Sequence, residues 1–430
     1  MREATPKQLK RELSTTGAIL LGLGSIIGTG VFVSLSVAAG VAGPAVVLAI
    51  VIAAAVALCN GLSSAQLAAS HPVSGGTYEY GYQYLNPWMG FIAGWLFLLA
   101  KSASAATAAL GFSGYLLSCL GITDRHWLVP VALLGLVLLT LVVLKGIQRS
   151  NQTNAVIVAI TLLSLGYFLI VGLKPWSNAG FANFVPFFAD NPIGNLLQAT
   201  ALMFVAFTGY GRLATLGEEV RAPRTTIPRA ILITLLVTMG LYLGVALVGV
   251  GAFGAANLGD VAQSAAPLEA VVRWLGVPGG TLILTLGALA AMLGVLLNLL
   301  LGLSRVLLAM GRRGDMPEQV ARLNRAGTSP TTAVIVMAIA IGILVLTGNV
   351  KTTWSFSAFN VLIYYAVTNL AALKMPARQR LYPEWIAWIG LVACLLLAFW
   401  VDFQIWLVGL GLILAGVLWK GLMNTLAERE

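Results

Sequence analysis

Near its N-terminus the chain carries Gly17-Ala-Ile-Leu-Leu-Gly-Leu-Gly-Ser-Ile-Ile-Gly-Thr-Gly-Val-Phe32, an apolar stretch interrupted by glycines. A second such stretch is Ala201-Leu-Met-Phe-Val-Ala-Phe-Thr-Gly-Tyr-Gly-Arg212. Glycine makes helix breaks possible, and a break at membrane depth is tolerated only where it lines a cavity or is buried in protein. A matched pair of breaks in the two halves of a chain indicates a transporter binding site.

The composition indicates a membrane protein. Of 430 residues, 59% are hydrophobic and 9% are charged, which is too little charge to cover a soluble protein of this size. We therefore predict an all-α polytopic membrane protein with 12 transmembrane helices. The predicted spans are roughly 16–41, 43–69, 88–120, 127–145, 152–174, 193–219, 228–254, 279–310, 330–348, 354–374, 384–402 and 403–420.

Lysine and arginine are distributed unequally between the two sides of these spans. With the N-terminus in the cytoplasm, basic loop residues collect on the cytoplasmic side, and the outer side holds only Arg125, Lys174, Arg273 and Lys351. Such a distribution follows the positive-inside rule. It predicts a multi-pass protein of the plasma (inner) membrane with both termini cytoplasmic. It also accounts for the net charge of +10 without a nucleic-acid partner.

The two glycine-rich stretches fall in the predicted first and sixth spans. A repeat of five spans must enter the membrane inverted in its second copy, so we expect a 5+5 inverted repeat with both breaks near the midplane. The predicted organisation is a cytoplasmic segment 1–15, a first repeat 16–174, an extracellular loop 175–192, a second repeat 193–374, and two extra C-terminal helices with a cytoplasmic end in 375–430.

A broken helix exposes backbone groups that suit a zwitterion. The free N–H groups at a helix start favour a carboxylate, and the carbonyls at the other broken end favour an ammonium. An α-amino acid carries both groups. The alternative is that Gly24-Ser-Ile-Ile-Gly28 is a GxxxG helix-packing motif, but the matched spacing in both halves favours a binding site.

Five stretches resemble signatures of the amino acid–polyamine–organocation (APC) superfamily. They are Gly24-Ser-Ile-Ile-Gly-Thr-Gly-Val-Phe32, His71-Pro-Val-Ser-Gly-Gly-Thr-Tyr-Glu-Tyr80, Gly90-Phe-Ile-Ala-Gly-Trp95, the region 204–230 and Met310-Gly-Arg-Arg-Gly-Asp-Met-Pro317. The resemblance covers nearly the whole chain. It implies a bacterial-type amino acid permease with the LeuT-like fold, in which helices 1 and 6 are broken and substrate crosses by alternating access.

The resemblance also implies where the substrate binds. Its carboxylate would meet the broken first span, and its amino group would meet carbonyls of the sixth span. The implied residues are Ser25, Ile26, Ile27, Gly28, Thr29, Gly30, Phe204, Phe207, Thr208 and Gly209, and Ser102, beside Lys101 on the third span, is a further candidate for substrate binding. The ring of Phe204 or Phe207 would form a lid over the substrate, and ordinary helix packing is the alternative for both rings.

The sequence departs from the resemblance at the usual ion sites. Sodium-coupled relatives carry Ser or Thr on span 8, whereas Ala290-Ala-Met-Leu-Gly-Val-Leu296 has no hydroxyl. Some proton-linked members carry a lysine on span 5, where this chain has Thr161. Thr161 alone offers too few oxygens to predict a sodium site, so it stays a candidate for coupling.

Two basic residues fall inside predicted spans. Lys101 has small polar neighbours, so we expect it to face the bundle, because a charge facing lipid is costly. It could carry a coupling proton, act as a fixed cation, or be a structural lysine with a partner. Arg212 could attract an acidic substrate side chain, or close a gate by pairing with Glu218 or Glu219.

Other classes of function fit less well. The chain has no His-Glu-x-x-His and no Gly-x-Ser-x-Gly, so we predict no enzyme. The residues Cys59, Cys119, Cys394, His71 and His126 have no metal spacing, so neither a metal nor a cofactor is expected. A carrier of an organic amine, a polyamine or an inorganic cation on the same fold is the alternative to an amino acid permease.

Overall fold

The computed structural model describes residues 14–72, 75–145, 151–188, 190–214, 220, 222–324 and 329–427, and Glu218 lies outside them. Its α-helices are α1 (Thr15–Ile26), α2 (Leu35–Ala42), α3 (Val46–Ser70), α4 (Thr77–Tyr84), α5 (Pro87–Cys119), α6 (Leu128–Leu144), α7 (Asn151–Ala179), α8 (Pro192–Phe207), α9 (Gly211–Ala214), α10 (Pro223–Phe253), α11 (Ala255–Val261), α12 (Pro267–Trp274), α13 (Gly280–Arg312), α14 (Thr331–Val345), α15 (Val350–Lys374), α16 (Glu384–Ala398) and α17 (Phe403–Ala427). A π-helical turn, Gly30–Ser34, leads into α2, and a 3-10 turn, Thr208–Tyr210, joins α8 to α9.

The helices have the length and the composition of membrane spans. Within the described residues, nine helical stretches are long and apolar enough to cross a membrane, and the first of them, Thr15–Ser70, has 56 residues. The helices α14 and α16 are shorter and also apolar. Large apolar side chains on the outer faces, such as Leu138 and Leu163, are exposed. The prediction of an all-α polytopic membrane fold is thereby confirmed.

Local signals in the sequence fix where several helices begin. The side chain of Ser14 accepts a hydrogen bond from the amide of Gly17 at 3.2 Å, and Asn86 caps α5 in the same way. Asn349 caps α15 by accepting from the amide of Thr352 at 3.0 Å. Each cap satisfies an amide that the first turn of a helix leaves without an acceptor.

The helices α5, α8 and α15 are the most buried of the candidate spans in the described part of the chain, and they lie in the core of the bundle. The helix α5 packs on α13 and α15, and α3 packs on α8 and α10. In turn α1 packs on α7 and α10, and α13 packs on α7. This arrangement brings the end of α1, the end of α8 and the middle of α5 close to one another.

A buried carboxylate, Asp315, joins three separate parts of the chain at one end of the bundle. It accepts hydrogen bonds from the hydroxyls of Tyr78 and Tyr82 on α4, both at 2.7 Å, and from Lys420 on α17 at 2.6 Å. The indole of Trp419 donates to its backbone carbonyl at 3.1 Å. Burial first, and then the bond to Asp315, raise the pKa of both tyrosines, so their hydroxyls stay protonated donors.

The contacts of Asp315 predict that its substitution destabilises the protein more than substitution of Asp402, an exposed acidic residue. The change Asp315→Asn leaves Lys420 buried without its anion, so we expect the free energy of unfolding to fall by about 3–5 kcal/mol. The matched control is Asp402→Asn, because Asp402 and Lys351 are 3.7 Å apart and both are about half exposed. A pair of that kind contributes only about 0–1 kcal/mol. Thermal unfolding of the two purified variants measures these effects, and an equal fall in melting temperature for both would contradict the assigned role of Asp315.

Candidate functional site

The first span is interrupted where the glycines predict. The regular helix α1 ends as the amide of Ile27 donates to the carbonyl of Leu23, and Ile27 is extended, with φ −78° and ψ 106°. The amides of Val31 and Phe32 both donate to the carbonyl of Gly28 at 3.1 Å, which starts the next helical segment. The amides at a helix start have no acceptor within the helix, and they favour an anion.

The sixth span is interrupted by one turn of 3-10 helix and not by an extended segment. The chain passes from α8 to α9 through the single 3-10 turn Thr208–Tyr210. The hydroxyl of Thr208 donates to the carbonyl of Val205 at 2.8 Å, and the hydroxyl of Tyr365 donates to the carbonyl of Thr208 at 3.3 Å. These bonds satisfy backbone groups that a wider break would leave unpaired at membrane depth.

The two interruptions pack directly against each other, and this contact requires glycine. A Cβ atom at Gly209 would lie 2.2 Å from the carbonyl oxygen of Ser25, and one at Gly30 would lie 2.6 Å from the Cβ of Ala206. The hydroxyl of Tyr242 also joins them, because it is within hydrogen-bonding distance of the carbonyl of Ile26 and that of Ala206, at 2.9 and 3.2 Å. The two segments therefore form one unit.

A cavity of about 1020 Å³ lies beside this unit. Its lining extends from the two interruptions along α5, α13 and α15 to Glu79 and Arg313, which form an ion pair at 2.6 Å. The predicted site residues that line it are Ser25, Ile26, Thr29, Gly30, Lys101, Thr208, Gly209 and Arg212. The structure thus brings residues of the first, third and sixth predicted spans to one cavity.

Lys101 lies at the level of the sixth-span turn. Its side-chain nitrogen donates to the hydroxyl of Thr208 at 2.9 Å, and the residue is only 9% exposed. The expectation that Lys101 faces the interior of the bundle agrees with this position. The lysine therefore places its amino group beside the backbone of the interrupted helix.

The other predicted residues lie outside the cavity lining. Ile27 is buried, and Gly28 packs against the side chain of Val295. Ser102 is buried on α5, and within the described residues its hydroxyl has no hydrogen-bond partner. Thr161 donates to the carbonyl of Ile157 within its own helix at 2.7 Å.

The two predicted lid rings, Phe204 and Phe207, are fully buried and lie outside the cavity lining. Phe204 contacts Tyr365 edge to face, with ring centroids 5.7 Å apart, and Phe207 packs on Tyr242 at 5.2 Å. Both rings support the aromatic residues that bond to the interrupted backbone.

Sequence reasoning missed three residues of this region. Tyr242 and Tyr365 bond to the interrupted backbone, and Asn298 lines the cavity from α13. Polar groups within apolar spans, at positions 242, 298 and 365, were the available signal. Polar side chains in a membrane span usually face a protein partner or a cavity, because contact with lipid leaves them without hydrogen bonds.

A multi-pass helical bundle with two interrupted helices against a central cavity defines the molecule as a membrane transporter. Residues 17–423 match the model of the amino acid permease family, and the chain belongs to that family. Membership confirms the resemblance to the APC superfamily and the prediction that the chain is not an enzyme. It supports a small-molecule substrate of the amino acid class.

Individual relatives are similar over most of their length. An uncharacterized transporter of Mycobacterium tuberculosis is 37% identical over 99% of this chain and 94% of its own. The branched-chain amino acid permease BcaP of Bacillus subtilis is 32% identical over 76% of this chain and 72% of its own. A methylthioribose transporter of Bacillus subtilis is 27% identical over 94% of this chain and 93% of its own.

The contact between the interruptions can be tested with two glycine substitutions. Gly209→Ala places a methyl group against the Ser25 carbonyl, so we expect the free energy of unfolding to fall by about 1–3 kcal/mol, with loss of transport as the two segments separate. The control is Gly240→Ala, because a Cβ there meets no atom within 4 Å. Thermal unfolding and transport assays of both variants check this, and a fully active, stable Gly209→Ala protein would refute it.

Proposed function

We propose that the protein is a secondary active transporter that moves an amino acid across the membrane by alternating access. The substrate backbone would bind at the interrupted centres of the first and sixth spans. The observation that carries this proposal is the cavity that both interruptions line, with Ser25, Thr29 and Gly30 on one side and Thr208 and Gly209 on the other.

The chemistry of the two interruptions supports a zwitterionic ligand. The segment that begins after Gly28 offers unpaired amides to a carboxylate. The carbonyls at the end of α8 offer acceptors to an ammonium, because the last carbonyls of a helix lack a donor within the helix. Backbone groups of this kind explain how a substrate with two charges could be held with few charged side chains.

The packing of the helices supports twelve spans and an inverted repeat. In the proposed pairing, the spans α3, α5, α6 and α7 correspond to α10, α13, α14 and α15. The contact of α5 with α15 then has its counterpart in that of α13 with α7, and the contact of α3 with α8 in that of α10 with α1. The pairs α3–α10, α5–α13 and α6–α14 also pack on each other, as partners across a pseudo-twofold axis would.

This pairing supports the proposed division of the chain into two repeats. The repeats would occupy 16–174 and 193–374, separated by an outer loop at 175–192 and flanked by 1–15 and 375–430. The basic residues favour an inner plasma membrane location with both termini in the cytoplasm. The cavity end at Glu79 and Arg313 would then face the cytoplasm. Protons are the proposed coupling ions, with Lys101, Thr161, Arg212 and Glu218 as candidates for coupling or gating.

Uptake by proteoliposomes tests the proposal. We expect saturable uptake of an α-amino acid, competed by the same amino acid but not by its N-acetyl or α-amide derivative, because both charged ends of the backbone are held. Labelled amines and potassium serve as the comparison. Uptake of an amine or potassium in the absence of any amino acid uptake would overturn the proposal in favour of the alternative carrier.

A further inference from the structure

Lys101 is a buried cationic side chain without an anionic partner among the residues that the structure describes. It is 9% exposed, and the ion pairs found in those residues join other side chains. A charge buried in a membrane protein is costly unless it is paired. An anionic group of a ligand in the cavity would supply the missing partner.

The hydroxyl of Thr208 cannot supply that negative charge. It donates its own proton to the carbonyl of Val205 at 2.8 Å, and it accepts from Lys101 as a neutral oxygen. A lysine ammonium has three N–H groups, so this contact uses one of them. Because Lys101 and Thr208 both line the cavity, a ligand there can reach the ammonium.

The other charges along the described cavity lining are mostly of the same sign. Arg305, Arg312 and Arg313 are basic, and the acidic member among the described lining residues, Glu79, is paired with Arg313. A cleft lined mainly by one sign of charge concentrates ligands of the opposite sign. The cavity therefore favours anions over cations.

Building on the proposed function, we infer that Lys101 binds a carboxylate that the substrate carries in addition to its α-carboxylate, which makes acidic amino acids the substrate class. The α-carboxylate meets the amides after Gly28, and the α-ammonium meets the carbonyls around Thr208. The side-chain carboxylate then pairs with Lys101 and offsets the repulsion between this lysine and the α-ammonium, since both positive groups lie beside Thr208. A cationic amino acid or a polyamine brings a second positive charge into this basic cavity, where like-charge repulsion rejects it.

Competition assays on the full chain in proteoliposomes test the inference at mildly acidic pH, where a lysine carries its proton. We expect glutamate or aspartate to be taken up, with leucine, arginine and putrescine competing about tenfold less well or worse, since a charge-assisted hydrogen bond is lost. Lys101→Gln should reduce glutamate uptake by about tenfold or more, whereas Lys101→Arg keeps the cation and retains uptake. The control Lys174→Gln removes an exposed lysine at the end of α7 and should leave uptake unchanged.

The outcomes separate this inference from the proposed function. If leucine or arginine is transported at least as efficiently as glutamate, the inference about Lys101 fails, but the proposal that the protein transports amino acids stands. If no amino acid is transported, the proposed function fails as well. Should the Lys101 variants not fold, thermal unfolding of the unmodified protein decides. A ligand stabilises the folded state by mass action, so glutamate must raise the melting temperature more than leucine does, and the reverse order overturns the inference.

Discussion

Backbone N–H and C=O groups at membrane depth need hydrogen-bond partners, and the rest of the structure depends on meeting this requirement. Two helices are interrupted in the middle of the bundle, and the freed groups cannot turn to lipid. Several of the freed carbonyls accept hydrogen bonds from tyrosine side chains nearby. Tyr242 reaches the carbonyls of Ile26 and Ala206, and Tyr365 reaches the carbonyl of Thr208. The close contact between Gly209 and the Ser25 carbonyl leaves no room for any larger residue.

This pairing positions the groups that face the cavity. With the interruptions fixed against each other, the start of the second segment of span 1 and the turn of span 6 line the same space. The bond from Lys101 to Thr208 adds a side-chain cation at the turn. The proposed site therefore combines backbone dipoles, which suit the common part of an amino acid, with the side chain of Lys101, which we propose distinguishes among amino acids.

Much of this could be predicted from local sequence. Glycine spacing located both interruptions, and the apolar composition together with the loop charges indicated a polytopic membrane protein. The form of the sixth-span interruption could not be predicted, because a hydroxyl bond from Thr208 to Val205 closes it into a 3-10 turn. The bond between Lys101 and Thr208 spans 107 positions, and the bonds from Tyr78 and Lys420 to Asp315 span 237 and 105. No local periodicity encodes such partners. The helices α11 and α12 lie outside the predicted spans, because each is too short to cross a membrane and the span prediction detects only long apolar runs.

The most direct test of the central claim is an experimental structure of the full chain in a lipid nanodisc with a transported amino acid bound. The account predicts that its carboxylate contacts the amides at 28–30 and that its ammonium contacts the carbonyls around Thr208. A substrate bound away from both interruptions, or continuous straight helices through residues 27–29 and 208–210, would contradict it.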